Sequence, residues 1–112
     1  MDKMILVVDD EPLDRGILKN MLDQEYDVIE AGDGKEALGM LAQHKKSIVA
    51  VLLDLFMPQM DGFALLEAMR EDENCRSIPA LVLTASRDEA MELKAFQCGA
   101  WDFITKPIHK DI

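Results

Sequence analysis

The chain has 112 residues, 49% of them hydrophobic, which is enough for one globular domain with a buried core. Its formal net charge of −10 argues against direct nucleic-acid binding, which needs clustered Lys and Arg, and no apolar run approaches the roughly 20 residues of a membrane helix. The two cysteines, Cys75 and Cys98, lack the spacing of a metal site, and no secretory signal precedes them, so we expect reduced thiols in the cytoplasm.

The first half of the chain alternates strand and helix patterns. Residues 4–8 are a short apolar run that ends in acidic residues, and Pro12 is well placed in the first turn of a helix. Apolar residues recur along that helix at helical spacing: Leu13, Ile17, Met21 and Leu22. Residues 27–31 predict a more polar strand, nearer a sheet edge. Asp33 and Glu36 then form a capping-box pattern that opens a second helix.

The second half of the chain repeats this alternation. Three apolar runs predict the remaining strands: residues 48–53, 78–84 and 101–105. The first of these runs is unbroken up to Asp54, which is typical of a strand buried on both faces of a parallel sheet. A helix follows Gly62, and a capping-box pattern at Ser86 and Glu89 opens another helix that stops at Gly99.

The order of elements predicts the fold class. Strand and helix alternate four times before the last strand, which is typical of an α/β domain with a parallel sheet covered on both faces. Five strands are too few for a closed eight-stranded barrel. We therefore expect a doubly wound, five-stranded parallel sheet of the flavodoxin-like type with strand order 2-1-3-4-5, whose switch point lies between strands 1 and 3.

This topology brings acidic residues together at one sheet edge. Strands 1 and 3 are expected to be neighbours, so Asp9, Asp10 and Asp54 emerge side by side at their carboxyl ends. Three crowded carboxylates repel each other, and Mg²⁺ is a hard cation that relieves this repulsion through oxygen ligands. The sequence therefore predicts a magnesium site here.

The ends of the last two strands add a hydroxyl and a cation. Thr84 follows the fourth strand and Lys106 follows the fifth. A carboxylate nucleophile, a metal site, a hydroxyl and a fixed cation together favour phosphoryl transfer, in which the work is positioning and neutralising charge. Taken one at a time, these residues have ordinary alternatives: a helix cap for Asp9 and Asp10, a strand end for Thr84 and a surface lysine for Lys106. Their coincidence at four strand ends favours the functional interpretation.

The chain resembles the receiver domain of two-component response regulators. The motifs that carry the resemblance are Val-Val-Asp-Asp-Glu-Pro (7–12), Asp-Gly-Lys-Glu-Ala-Leu (33–38), Asp-Leu-Phe-Met-Pro-Gln-Met-Asp-Gly (54–62), Leu-Thr-Ala (83–85) and Lys-Pro (106–107). The resemblance implies that Asp54 accepts phosphate from a histidine kinase or a phosphotransfer domain. It also implies that Asp10 binds Mg²⁺ directly beside Asp54, that Asp9 acts partly through water, and that the backbone carbonyl of Phe56 is the third protein ligand.

The resemblance implies roles for the remaining strand ends as well. Thr84 and Lys106 would contact the phosphoryl oxygens, and the bond between Lys106 and Pro107 would be cis. Thr84 would also move together with the aromatic residue of strand 5, which here is Phe103. We expect this coupled movement to switch the face formed by helix 4 and strand 5. The domain would catalyse only its own phosphorylation and dephosphorylation, so it would not be an enzyme acting on other substrates.

The end of the chain departs from the family pattern. After Pro107 only residues 108–112 follow, too few for the full fifth helix, so we expect that helix to be truncated or missing. On this interpretation residues 1–112 are a receiver domain from the N-terminal part of a longer regulator, with a C-terminal effector domain outside this chain. A sheet face left uncovered would favour association of two copies into a homodimer.

Two other functions are open on the sequence. The first is a receiver-like domain that binds a protein partner without phosphorylation. The second is a dinucleotide- or flavin-binding protein, because Gly32, Gly34 and Ala37 fit a Gly-x-Gly-x-x-Ala fingerprint. That fingerprint belongs in the first strand–helix turn, whereas this match lies in the second, so capping explains it better.

Overall fold

The computed structural model describes residues 3–55, 61–84 and 88–105 of the chain. Nine elements follow one another in the described part: β1 (Met4–Val8), α1 (Pro12–Leu22), β2 (Asp27–Ala31), α2 (Gly34–His44), β3 (Ile48–Asp54), α3 (Gly62–Glu71), β4 (Ala80–Thr84), α4 (Glu89–Cys98) and β5 (Asp102–Thr105). The strands form one parallel sheet in the order β2-β1-β3-β4-β5. The predicted α/β class and strand order are therefore confirmed, and β2 is an edge strand as expected.

Two apolar layers cover the two faces of the sheet. The larger layer lies under α2, α3 and α4 and includes the fully buried Leu6, Leu53 and Leu65. The smaller layer lies on the face covered by α1 and is centred on Val7 and Leu83. Consecutive strand residues point to opposite faces, so the apolar runs of the central strands supply both layers.

Helix α1 does not bury the apolar face that the sequence pattern suggested. Leu13 is 73% exposed and Ile17 is 40% exposed, whereas Leu18 is only 3% exposed. Helix α1 contacts β1 and β2 through the side that carries Leu18 and Leu22. Leu13 and Ile17 are therefore left on the exposed side of the helix. The helical spacing of Leu13 and Ile17 is therefore correct as a sign of the helix, but it does not mark the buried side of α1.

The start of β3 also differs from the fully buried strand expected for residues 48–53. Val49 is 39% exposed, although Val51 and Leu53 are fully buried. The pairing with β1 shifts register at this point, since Met4 pairs with Ile48 and the next residue of β1 pairs with Ala50. A bulge of this kind leaves one residue without a partner and turns its side chain away from the layer.

The helix ends show which capping patterns were correct. Asp33 is the N-cap of α2, where its side chain accepts a hydrogen bond from the backbone N–H of Glu36 at 2.7 Å. The turn containing Gly32 and Gly34 is therefore capping chemistry, as preferred above. The N-cap of α4 is Asp88, so Glu89 is the first helical residue and the pattern predicted with Ser86 is wrong.

The other boundaries agree with the sequence to within two residues. β1 and β2 have the predicted limits, β3 extends to include Asp54, and β4 and β5 begin slightly later than predicted. Helix α4 ends before Gly99, whose φ of 121° is a conformation that favours glycine. The expectations of a shortened or missing fifth helix and of a longer regulator concern residues 106–112 and beyond, which lie outside the described residues.

Candidate functional site

The pairing of the central strands determines where the acidic residues lie. Val8 of β1 pairs with Leu53 of β3, so the residues that follow them, Asp9 and Asp54, lie side by side at the ends of the two strands. This is the carboxyl edge of the sheet and the point at which the chain order of the strands reverses. In doubly wound folds that position is where ligands bind.

The three predicted carboxylates form one cluster. One carboxylate oxygen from each of Asp9, Asp10 and Asp54 lies within 4.8 Å of the other two. Asp9 is fully buried, Asp54 is half-buried and Asp10 is exposed, so the cluster extends from the protein interior to solvent. The structure thus brings together all three residues that the sequence predicted.

The donor set of this cluster suits Mg²⁺. Octahedral Mg²⁺ binds oxygen at about 2.1 Å, so its ligand oxygens lie roughly 3.0 Å apart when adjacent and roughly 4.2 Å apart when opposite. Oxygens that already lie within 4.8 Å of one another need only small side-chain rotations to reach those separations. The exposed side at Asp10 leaves room for the water ligands that Mg²⁺ usually keeps.

Asp9 is held by hydrogen bonds to its backbone and to its carboxylate. Its backbone N–H donates to the carbonyl of Ala31 at 3.1 Å, which extends the pairing of β1 with β2 by one residue. Its carboxylate accepts a hydrogen bond from the backbone N–H of Glu11 at 3.0 Å. Its own carbonyl accepts a hydrogen bond from the guanidinium of Arg15 at 2.6 Å. These three contacts fix both the backbone and the carboxylate of Asp9.

Neither residue of the acidic pair is the N-cap of the first helix. The N-cap of α1 is Glu11, which makes no side-chain capping hydrogen bond, and Pro12 follows it in the first turn. A proline there lacks one of the N–H groups that a cap would otherwise satisfy. The N-cap position, which was the ordinary alternative for Asp9 and Asp10, is therefore occupied by Glu11, whose own N–H donates to the Asp9 carboxylate.

Thr84 and Phe103 share one face of the sheet. Thr84 pairs with Thr105, and Phe103 pairs with Val82, two residues before Thr84 on the same strand. Residues two apart on a strand point to the same face, so the two side chains are diagonal neighbours across β4 and β5. The ring of Phe103 meets that of Phe96 on α4 edge to face, with centroids 5.0 Å apart. Thr84, Phe103 and Phe96 therefore form a row that leads from the carboxyl edge of the sheet to α4.

Gly62 holds the start of α3 against the phosphoacceptor candidate. Its N–H donates to the carbonyl of Leu55 at 2.8 Å. A Cβ atom at this position would lie 2.6 Å from the carbonyl oxygen of Asp54 and 2.6 Å from the Cα of Leu55. Both are backbone atoms that cannot rotate away, so only glycine permits this approach.

The remaining predicted site residues are not placed. Phe56, Lys106 and Pro107 lie outside the described residues, and so do the predicted metal-binding carbonyl, the predicted lysine contact and the predicted cis peptide.

Two residues near the cluster were not found from the sequence. Arg15 of α1 contacts the Asp9 carbonyl, and its Nε also donates to Glu30 of β2 at 3.2 Å. The signal that could have found Arg15 is its place in the second turn of a helix that starts directly behind two acids. Glu30 gave no local signal, because its approach to Arg15 depends on the pairing of β2 with β1.

Comparison with known proteins agrees with this geometry. Residues 5–112 match the family model of the response regulator receiver domain. The chain is 39% identical over 109 residues to the response regulator PleD of Caulobacter vibrioides, a match that covers 96% of this chain and 24% of PleD. The chain thus spans about a quarter of the length of this curated relative. No helix in the described residues is both long and apolar enough to cross a membrane.

Solved structures give the same result. The chemotaxis protein CheY4 of Vibrio cholerae superimposes with a TM-score of 0.90 at 28% identity, over 97% of this chain and 90% of CheY4. The receiver domain of the sensor histidine kinase PA1611 from Pseudomonas aeruginosa, which has a magnesium ion coordinated in its active-site cleft, superimposes with a TM-score of 0.86 at 28% identity, over 97% of this chain and 88% of that one. Together with the sheet order and the acidic cluster, these matches show that the chain belongs to the receiver domain family of two-component response regulators.

Proposed function

We propose that this receiver domain accepts a phosphoryl group on Asp54 in a Mg²⁺-dependent reaction. The observation that carries the proposal is the cluster of three carboxylates within 4.8 Å at the ends of two adjacent strands. Asp54 is half-buried, so an incoming phosphoryl group can reach it from the side of the exposed Asp10. The PA1611 receiver domain has a similar fold and holds a magnesium ion in its active-site cleft, which supports the choice of metal.

Asp10 and Asp54 would bind the ion directly, with Asp9 acting partly through water and the carbonyl of Phe56 as a further ligand. When bound, Mg²⁺ would supply positive charge that offsets the negative charge of the carboxylates and the phosphoryl oxygens. The protein's own contribution is to hold its oxygens in place before the phosphoryl group arrives.

The phosphoryl donor would be a phosphohistidine of a histidine kinase or a phosphotransfer domain. A carboxylate oxygen of Asp54 attacks phosphorus, the new O–P bond forms as the P–N bond breaks, and the imidazole leaves. Thr84 and Lys106 would contact the phosphoryl oxygens, and a later attack by water would return the carboxylate and release phosphate. On this proposal the domain catalyses only its own phosphorylation and dephosphorylation.

Phosphorylation would then alter the α4–β5 face. A phosphoryl group adds roughly −1.5 to −2 charge and three acceptor oxygens, which would draw the Thr84 hydroxyl towards Asp54. Phe103 is the diagonal neighbour of Thr84 and contacts Phe96, so movement of Thr84 would change the packing beneath α4. Amide NMR spectra recorded with and without a stable phosphoryl mimic should differ at α4 and β5. Spectra that coincide there would overturn this switch.

The wider context of the domain is also part of the proposal. PleD is about four times longer than this chain, which supports a C-terminal effector domain that reads the switched face. A cytoplasmic location would suit reduced thiols and a kinase partner.

Homodimer formation through an uncovered apolar surface would suit the exposed Leu13, and sedimentation equilibrium of the wild-type chain tests it.

Intact-protein mass spectrometry tests the central reaction. The chain is incubated with acetyl phosphate and Mg²⁺, and we expect a mass gain of one phosphate. The gain should disappear in Asp54→Asn and without Mg²⁺, but persist in the matched control Asp23→Asn at the exposed end of α1. If neither acetyl phosphate nor a cognate kinase labels the wild-type chain, the result would favour a receiver-like domain that binds its partner without phosphorylation.

A further inference from the structure

Arg15 connects the acidic cluster to the edge strand. Its Nη1 donates to the backbone carbonyl of Asp9 at 2.6 Å, and its Nε donates to Oε1 of Glu30 at 3.2 Å. The side chains of Arg15 and Glu30 are 19% and 34% exposed, so both are largely enclosed between α1 and β2. Arg15 thus contacts the backbone of a cluster residue rather than its carboxylate.

We propose that Arg15, oriented by Glu30, is a positioning residue that fixes Asp9 for Mg²⁺ binding. This proposal rests on the magnesium site of the proposed function and adds a residue that acts on that site through Asp9. The guanidinium contacts that carry the proposal are those to the Asp9 carbonyl and to Glu30, so Arg15 would act on the ion through Asp9.

The need for such a residue follows from where Asp9 lies. It is fully buried and comes directly after the last residue of β1. A buried carbonyl without a donor is costly, and Arg15 supplies a donor to the carbonyl of Asp9. A carbonyl held in this way limits rotation of the peptide that follows, which carries Asp10. One contact therefore restrains two members of the cluster.

Arginine is suited to this position by its shape. The guanidinium carries its donors in a planar fork, so Nη1 can reach a carbonyl while Nε reaches a carboxylate. Lysine has a single ammonium on a flexible stem and cannot reproduce that fixed pair of directions. Glu30 keeps the fork oriented and also offsets its charge, which would otherwise weaken the attraction of the cluster for a cation.

The sign of the effect separates positioning from charge. If Arg15 acted only as a nearby cation, its removal would strengthen Mg²⁺ binding, because the acidic cluster would become more negative. If Arg15 acts by positioning Asp9, its removal weakens Mg²⁺ binding despite that gain. A role in overall stability alone would leave Mg²⁺ affinity unchanged at temperatures well below the unfolding transition.

Isothermal titration calorimetry with MgCl₂ on the unphosphorylated chain measures this sign. Residues that orient metal ligands typically contribute about 10-fold or more to metal affinity, so we expect Arg15→Ala to bind Mg²⁺ about 10-fold more weakly than the wild type. Glu30→Gln retains an acceptor for the Arg15 Nε, so its Mg²⁺ affinity should fall by less than that of Arg15→Ala. The matched control Lys19→Ala removes a cation from an exposed position one turn further along α1 and should change the affinity less than twofold.

Arg15→Lys provides the second variant. Its ammonium can reach the Asp9 carbonyl or Glu30 but not both in the same geometry, so the affinity should fall between those of the wild type and Arg15→Ala. Equal or tighter Mg²⁺ binding in Arg15→Ala overturns the proposal, and if that variant does not fold, wild-type affinity in Arg15→Lys overturns it. A wild-type chain that binds no Mg²⁺ would overturn the magnesium site itself, and the role of Arg15 with it.

Discussion

Asp9 and Asp54 follow a pair of residues matched across the two central strands, and their carboxylate oxygens lie within 4.8 Å of each other. The pairing of β1 with β3 creates this proximity, so the fold itself gathers negative charge at one point. Two like charges this close destabilise the folded state unless a cation offsets them. The sheet therefore holds these carboxylates close together, and a bound Mg²⁺ would reduce their mutual repulsion.

The first prediction concerns Mg²⁺ and stability. A ligand that binds only the folded state stabilises it by about 2.7 kcal/mol at a concentration 100 times its Kd. We expect MgCl₂ at that level to raise the free energy of unfolding, measured by urea denaturation, by about this amount. In Asp54→Asn the gain should be much smaller, because one ligand is lost. Wild-type urea denaturation curves that coincide in Mg²⁺ and in EDTA would contradict the metal site.

The second prediction concerns repulsion in the absence of metal. Asp10 is the exposed member of the cluster, so Asp10→Asn removes one of three like charges without opening a cavity. In EDTA we expect this variant to be more stable than the wild type by about 0.5 kcal/mol, a modest value because solvent screens an exposed charge. In excess Mg²⁺ the order should reverse. Urea denaturation under both conditions measures it, and a variant less stable in EDTA would count against repulsion.

The third prediction concerns the approach of α3 to the site. Gly62→Ala places a Cβ atom 2.6 Å from two backbone atoms, so β3 and α3 must separate. Overpacking of this kind costs about 3 kcal/mol, and displacement of Asp54 should also slow phosphorylation by acetyl phosphate. The control is Gly39→Ala on α2, where nothing lies within 4 Å of the added atom. That change should stabilise the chain by about 0.5–1 kcal/mol. Equal stability of the two variants would contradict the close approach.

The fourth prediction concerns the two thiols. Burial raises the pKa of the Cys98 thiol above its ordinary value of 9.0, and the hydrogen bond from its Sγ to Glu67 at 3.3 Å adds to the shift. Burial likewise raises the pKa of Cys75, and the nearby Asp72 carboxylate adds to it. The folded chain therefore keeps these protons at pH values where the unfolded chain has lost them.

The sign of the pH dependence follows from this difference. The contribution of the thiols to stability is fully present below pH 9.0 and is lost as pH rises through the pKa values of the folded state. Each thiol contributes a slope of up to about 1.4 kcal/mol per pH unit in that window. Urea denaturation at pH 8 and pH 10 measures the loss, and a Cys75→Ala/Cys98→Ala variant should show less of it. An equal loss in both chains would contradict the assignment.

The sequence predicted the elements that depend on local pattern. The limits of β1 and β2, the N-cap of α2 and the stop at Gly99 all depend on residues close together in the chain. The meeting of Asp9, Asp10 and Asp54 was also predicted, because parallel strands place their carboxyl ends at one edge. The proximity of these three carboxylates is therefore the part of the site prediction that topology alone determines.

The wrong predictions involve contacts between distant elements. The side of α1 that is buried depends on where the helix packs against β1 and β2, so the apolar spacing did not reveal that Leu18 is its buried residue. The exposure of Val49 depends on a register shift between two strands. The link between Arg15 and Glu30 depends on the pairing of β2 with β1.

The most direct test of the proposed function is to identify the residue that carries the phosphoryl group. After phosphorylation by acetyl phosphate with Mg²⁺, borohydride reduces an aspartyl phosphate to homoserine, and peptide mass spectrometry then locates the altered residue. We predict homoserine at position 54 alone, and none when Mg²⁺ is omitted. Homoserine at position 9 or 10, or an unaltered position 54 in a chain that has gained phosphate, would contradict the assignment of Asp54 as the phosphoacceptor.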